Sequence, residues 1–300
     1  MLSPPELIKI RSKLLQATRE FFFSRDYLEV ETPVRIAAPA MENYIDAEES
    51  GNFYLRTSPE LHMKRILGMG LNKIFQIGPC FRKGEKGNLH NPEFSMLEWY
   101  AVEVDYLDIL EETKQFLLFT AQKLRGKSTI EIYNVPLDLI KGWKSFTISE
   151  IYKSIAGWDP LTNFDQDRFD MDMIEKIEPF LRKTGLCVLM DYPPAAAAFA
   201  RCDYSKVPPV AERWEIYIGG VELANAFGEL TDPVEQRKRF EEIAEQRKNR
   251  RQSIYPLDEA FLKALENGIP PCSGVALGLD RWLMLLTGEQ SIDKVRVFLE

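Results

Sequence analysis

The chain has 300 residues and a formal net charge of −8, with 45% apolar and 28% charged residues. That composition suits a globular protein with a sizeable core, and its acidic balance argues against a nucleic-acid backbone as principal partner. No apolar run approaches the roughly 20 residues that cross a bilayer. MLSPPELIKIRSKLL has no signal core, so no membrane partner and a cytoplasmic location are expected.

Residues 5–25 read as an amphipathic helix opened by Pro4-Pro5, with Leu7, Leu14, Thr18, Phe21 and Phe22 along one stripe. Tyr27 to Pro33 reads as a short strand stopped by proline, and Asn52 to Thr57 as another. Ser58-Pro59-Glu60 then opens a helix, with Ser58 as N-cap and Pro59 first in the helix. Glu60 in that first turn favours the helix dipole.

Residues 73–100, KIFQIGPCFRKGEKGNLHNPEFSMLEWY, read as two strands joined by a charged loop. Alternation sets Gln76, Gly78, Cys80 and Arg82 on one face of the first arm, and Phe94, Met96, Glu98 and Tyr100 together on the second. An arginine, a glutamate, a tyrosine and a phenylalanine on one face suit a nucleotide and a cationic small molecule. The alternative is an edge hairpin with one solvated face.

Residues 105–125 form a predicted helix, and residues 128–183 give mixed signals with a helix near 168–183. Leu186 to Met190 reads as a buried strand ended by Pro193-Pro194, and the four alanines at 195–198 as a small-side-chain packing surface. Glu212 to Phe227 is a hairpin turning at Gly219-Gly220. A two-residue turn sets Tyr217 opposite Glu222 and Glu215 opposite Ala224. Glu215 and Glu222 are then diagonal neighbours about 7–8 Å apart, able to bracket a divalent cation, though paired surface acids are the plainer reading. Strict alternation turns Asn225 away from them, so a role for Asn225 needs a bulge.

Asp232 to Arg251 is a helix of interleaved acids and bases, read as a solvated face. SGVALGLDRWLMLL reads as a strand entering a helix, with Gly278 allowing close backbone approach. Arg281 in that first turn opposes the dipole and asks for an anion. The four cysteines, Cys80, Cys187, Cys202 and Cys272, lack zinc-ligand spacing and read as buried thiols in a reducing compartment.

Together these stretches resemble the catalytic core of class II aminoacyl-tRNA synthetases, in the lysyl branch. Phe21 to Pro33 resembles the first class motif, FRKGEKGNLHNPEF the second and GVALGLDR the third. ERWEIYIGGVELANAFGELTDP is similar to the metal- and lysine-binding segment. The resemblance implies an α+β fold, a mostly antiparallel sheet flanked by helices. It implies one catalytic domain over 1–300, with a helical insertion around 105–185, and a homodimer built through the first motif. With this core at the start of the sequence, no anticodon-binding domain of the lysyl-tRNA synthetase kind is expected, which is the form of the elongation factor P–(R)-β-lysine ligase family. Ala276, where lysyl synthetases have glycine, and Ser58, where bacterial ones usually have alanine, also fit that family.

The activity so implied is ATP-dependent activation of (R)-β-lysine or lysine as an aminoacyl-adenylate, then transfer to a lysine of elongation factor P; tRNA is not expected as acceptor. The carboxylate nucleophile is already ionised, so positioning and charge neutralisation must supply catalysis. By resemblance Arg82 bridges carboxylate and α-phosphate, Arg281 meets the γ-phosphate, and Glu215 and Glu222 carry Mg2+. Phe94 stacks on adenine, framed by Lys83, Gly84, Glu85, His90, Asn91, Leu223 and Gly278. Ser58 and Glu60 hold the near amino group, and Glu98, Tyr100 and Glu229 the distal ammonium, in a pocket that Asn225 and Ala276 also line. The chain departs from its relatives at Lys83-Gly84-Glu85, where lysyl synthetases have Asn-Glu after the arginine, and at Ala226 and Gly228. Two other readings are a core-only lysyl-tRNA synthetase relative charging tRNA or another amine, and an inactive class II paralogue acting as a binding module.

Overall fold

The computed structural model describes residues 2–298. Its first helix, α1 (Pro4–Phe23), begins where the Ser3 amide donates to the Glu6 carboxylate at 2.8 Å. Its buried stripe is Leu7, Leu14, Ala17, Thr18, Phe21 and Phe22. The next strands are shorter than the sequence suggests: β1 (Leu28–Glu29), β2 (Arg35–Ile36), β3 (Glu49–Ser50) and β4 (Phe53–Leu55). Helix α2 (Glu60–Leu67) follows, with the Ser58 hydroxyl accepting the Glu60 amide at 3.0 Å.

The hairpin expected at 73–100 is β5 (Lys73–Phe81) and β6 (Glu93–Val102). Helix α3 (Tyr106–Arg125) has Asp105 as N-cap and ends at Gly126, whose φ of +67° suits glycine. The stretch expected to be a helical insertion is of mixed structure. It holds a small hairpin, β7 (Thr129–Ile132) and β8 (Val135–Asp138), then β9 (Trp143–Thr147) and the helices α4 (Ile148–Ile151), α5 (Gln166–Asp172) and α6 (Glu178–Thr184). Strand β9 pairs in parallel with β10 (Leu186–Tyr192), so this stretch also supplies an edge of the main sheet.

The remaining elements are β11 (Cys202–Asp203), β12 (Val210–Ile218), β13 (Val221–Gly228), α7 (Pro233–Asn249), α8 (Glu259–Asn267), β14 (Cys272–Gly278) and α9 (Leu279–Thr287). The nine-stranded sheet runs β1-β5-β6-β14-β13-β12-β10-β9, with β11 beside β12. Among the described residues only the pairs β1–β5 and β9–β10 are parallel.

Period-two alternation divides this sheet into two unlike faces. One carries Phe75, Leu97, Trp99, Trp214, Ile216, Leu223, Val275 and Leu277, and forms a core with α1, α3 and α9. Within it Phe22 stacks on Phe75 at 4.7 Å and leans on Trp99 at 5.3 Å. The opposite face keeps its polar residues, because α2, α7 and α8 gather over a separate cluster around Ile74, Tyr100, Phe199 and Phe261. No helix among the described residues is long and apolar enough to cross a membrane.

Candidate active site

The floor of the site is one row of cross-strand neighbours. Gln76 lies opposite Glu98, Glu98 opposite Ala276, Ala276 opposite Asn225, and Asn225 opposite Glu215. Residues so paired point to the same face, so five strands contribute one side chain each to a continuous line. The turn at Gly219-Gly220 sets Tyr217 opposite Glu222 as expected. Glu215, however, lies opposite Asn225 and not Ala224, because the register shifts between Ile216 and Tyr217. That bulge places one extra residue on β13 and turns Asn225 back onto the site face, correcting the strict alternation read from the sequence.

At one end of the row lies a cavity of about 270 Å³ lined by Arg82, Glu85, Leu89, His90, Asn91, Phe94, Leu223, Ala276, Gly278 and Arg281. Arg82 stands 5.2 Å over the Phe94 ring, and its buried Nε has no hydrogen-bond partner among the described residues. A buried donor left open in a planar fork fits a carboxylate or phosphate oxygen. Arg281 is tied across the site: its Nη1 donates to the Glu222 carbonyl at 2.7 Å and its Nε to the Leu89 carbonyl at 3.1 Å. Its Nη2 lies 2.7 Å from His90 Nε2. Burial, and then Arg281 itself, lower the His90 pKa, so Nε2 is the acceptor. Lys83 and Gly84 do not line this cavity. The Lys83 amide bonds the Asp46 carbonyl at 2.7 Å, and Gly84 at φ +76° turns Glu85 back to within 4.0 Å of Arg82.

Toward β5 the row ends in a closed polar cluster. Both oxygens of Glu98 are held, by the Ser58 hydroxyl at 2.8 Å and the Tyr100 hydroxyl at 2.6 Å. Burial, then the nearby Glu60, push the Glu98 carboxyl up to about 7. Glu60 and Glu229 are joined by a residue absent from the sequence-based assignment, Lys64. Its Nζ lies 2.6 Å from Glu60 and also pairs with Glu229. Burial works against the Lys64 charge, but Glu229 and Glu60 outweigh it and hold the ammonium above its ordinary value. Ser58, Glu60, Glu98, Tyr100 and Glu229 are thus linked into one cluster through Lys64 and shared hydrogen bonds. Gly274 admits it: any Cβ there would collide with the Tyr100 ring and the Glu229 carboxylate. Lys64 stands one helical turn after Glu60, and that spacing was the available signal.

Glu215 closes the other end of the row, with the charge of Glu222 beside it. Glu215 Oε2 accepts from Tyr192 and Tyr217 at 2.6 and 2.7 Å, and Oε1 from Arg213 at 2.5 Å. Glu222 is freer, with Arg281 Nη1 at 3.9 Å, and burial and the charge of Glu215 raise its pKa. A half-exposed carboxylate beside the charge of Glu215 is what a divalent cation can bind, so the pair fits Mg2+ with Glu222 as the available ligand. No group of three or more His, Cys, Asp or Glu that could hold a metal occurs among the described residues. Arg213, unmarked in the sequence, also reaches Asn225 Oδ1 at 3.2 Å and the Ala196 carbonyl at 2.8 Å.

The sequence family described as tRNA synthetases class II (D, K and N) matches residues 4–300. The chain belongs to that family. Among its class II relatives, an elongation factor P–(R)-β-lysine ligase of Vibrio cholerae serotype O1 is 34% identical, over 97% of this chain and 94% of that protein. One from Proteus mirabilis is 36% identical over 96% and 93%. A lysine–tRNA ligase of a Thermoanaerobacter species is 33% identical over 98% of this chain, which spans 63% of that protein's length. The mostly antiparallel sheet flanked by helices is the class II architecture expected from the sequence.

Proposed function

We propose that this protein uses ATP to activate (R)-β-lysine or lysine as an aminoacyl-adenylate and transfers the acyl group to a lysine of elongation factor P. The relatives named as elongation factor P–(R)-β-lysine ligases, matched over nearly their whole length, support the reaction. The observation that carries the choice of acceptor is electrostatic. Beside the Arg82 cavity opens a wider cleft of about 860 Å³ whose lining includes eight acids and only three bases. Such a cleft suits a lysine-bearing protein segment and repels the phosphates of RNA.

In this reading Arg82 holds the substrate carboxylate against the α-phosphate, and Phe94 stacks on the adenine. Arg281, braced by Leu89, His90 and Glu222, meets the outer phosphates. Glu222, with Glu215 behind it, would hold Mg2+, which when bound supplies neutralisation of phosphate charge. The Glu98–Tyr100 pair, one strand from Ala276, receives the distal ammonium. A homodimer through the first motif is supported by Ile8, Phe23 and Leu28, all more than half exposed along α1 and the edge strand β1. Sedimentation at equilibrium tests it.

The reaction is tested by incubating the protein with ATP, either lysine isomer, and elongation factor P or tRNA. Labelling of elongation factor P is expected. The lysine–tRNA ligase relatives favour a second reading, tRNA as acceptor. Labelling of tRNA alone would establish that reading and end the first.

A further inference from the structure

The two cavities meet at a short wall, and six residues line both: Glu42, Ile45, Arg213, Glu215, Glu222 and Asn225. Arg213 donates to both Glu215 and Asn225, and Glu222 lies beside Arg281. Glu42 is different. Its half-buried carboxylate has no hydrogen bond or ion pair among the described residues. Its backbone, by contrast, is pinned. The fully buried Arg247 donates to the Glu42 carbonyl at 2.6 Å and the Ile45 carbonyl at 3.1 Å, and pairs with Asp46. Tyr255 adds a bond from its hydroxyl to Asp46 at 3.2 Å and accepts the Ala47 amide at 2.9 Å. A loop anchored this firmly presents a free carboxylate at the passage from the acid-lined cleft to the Arg82 cavity.

We propose that Glu42 is the general base of the transfer step, taking the proton from the acceptor lysine as its nitrogen enters from the wide cleft. This rests on the adenylate reading above and concerns only its second half. An acceptor lysine is an ammonium at neutral pH and has no lone pair to attack with. In the step proposed, the ammonium gives one proton to the Glu42 carboxylate. The neutral nitrogen attacks the acyl carbon, and the bond from that carbon to the phosphate oxygen breaks with its electron pair leaving on AMP. The second nitrogen proton passes to solvent as the amide forms.

The surroundings of Glu42 suit the task. The charged groups facing it are Arg82, Glu60, Arg213 and Glu85. Burial pushes its carboxyl up to about 7, with Arg82 the largest opposing influence. A base poised near the working pH combines an ionised fraction with real proton affinity. Activation needs no base, so Glu42 divides the two half-reactions.

The test is Glu42→Gln in the full chain, measured three ways. Pyrophosphate exchange with ATP and (R)-β-lysine reads activation. Hydroxamate formation reads capture of the adenylate by hydroxylamine, a nitrogen already neutral at pH 7. Single-turnover transfer to elongation factor P is followed from pH 6.5 to 9. Transfer should fall about 10²-fold or more at pH 7, within the range that a positioned base supplies. Exchange and hydroxamate formation should fall far less, and the transfer deficit should shrink toward pH 9 as solvent base frees the acceptor amine. Glu42→Asp should restore part of the transfer rate. Equal loss in all three assays, or unchanged transfer, would overturn the proposal. So would a raised KM for the amino acid in exchange, which would make Glu42 a partner of the substrate's own ammonium. Absence of exchange by the unsubstituted protein with either lysine isomer would instead overturn the adenylate reading itself.

Discussion

The row Gln76–Glu98–Ala276–Asn225–Glu215 joins two regions built on opposite principles. Around Glu98 every carboxylate has a resident partner: Tyr100 and Ser58 for Glu98, and Lys64 for both Glu60 and Glu229. Glu98, Lys64 and Glu229 are each 1% exposed. Around Arg82 the groups are left open, with an orphaned guanidinium nitrogen, an unpaired Glu42 and a half-exposed Glu222 side chain bordering water-accessible space. The closed region is one that folding itself must neutralise, since buried charges without partners are costly. The open region can wait, because its ligand brings the missing charge. Substitutions in the first should therefore register in stability as well as in binding, and those in the second chiefly in chemistry.

The largest effect should come from Lys64→Met, which leaves Glu60 and Glu229 buried without their shared cation. A loss of about 3–5 kcal/mol is expected, the range for breaking one partner of a buried ion pair, read by urea denaturation at pH 8. A loss below about 1 kcal/mol would mean that the cluster is solvated, and the contrast between the regions would fail. Next is Arg82→Ala. Pyrophosphate exchange should drop on the order of 10²–10³-fold, as when a preorganised charge-stabilising donor is removed. Stability should move by no more than about 1 kcal/mol, the scale of the Arg82–Phe94 cation–π contact that is lost.

Glu98→Gln sharpens the contrast through pH. The Glu98 carboxyl rises from 4.5 to about 7 in the folded protein, so the folded state holds this proton more tightly than the unfolded one. Its contribution to stability is present below about 4.5 and lost as pH rises through about 7. Glu98→Gln removes that pH dependence and should make the ligand-free protein more stable at pH 8, by up to about 3 kcal/mol. Binding of the substrate ammonium should weaken about 10- to 100-fold. In the unsubstituted protein that binding should weaken as pH falls from 8 to 6, with protons released on binding, measurable by calorimetry in two buffers. The smallest effect is expected from Ala276→Gly, between the two regions. Removing one methyl should change the ratio of exchange rates for (R)-β-lysine and α-lysine by about tenfold, with little change in denaturation midpoint.

Much of this site was legible in the residue order, for a local reason. The alternation of β5 and β6 is a property of consecutive residues, and it assembled Arg82, Phe94, Glu98 and Tyr100 on one face before any partner strand was known. The Gly219-Gly220 turn likewise set Tyr217 against Glu222. Asp232 to Arg251 shows where such reasoning stops. Its mixed charges read as a solvated helix face, yet Arg247 is fully buried because a loop some two hundred residues earlier supplies carbonyls for it.

The sequence by itself determined which residues share a face along each unbulged strand, where helices start and which acids and arginines exist to be used, because steric period and capping act over a few residues. Tertiary structure alone decided the order of the strands, the bulge that returns Asn225 to the row, the capture of Lys64 between two glutamates and the wall on which Glu42 stands. Each of those depends on groups distant in the chain, whose charges and hydrogen bonds must be satisfied together once water has been excluded.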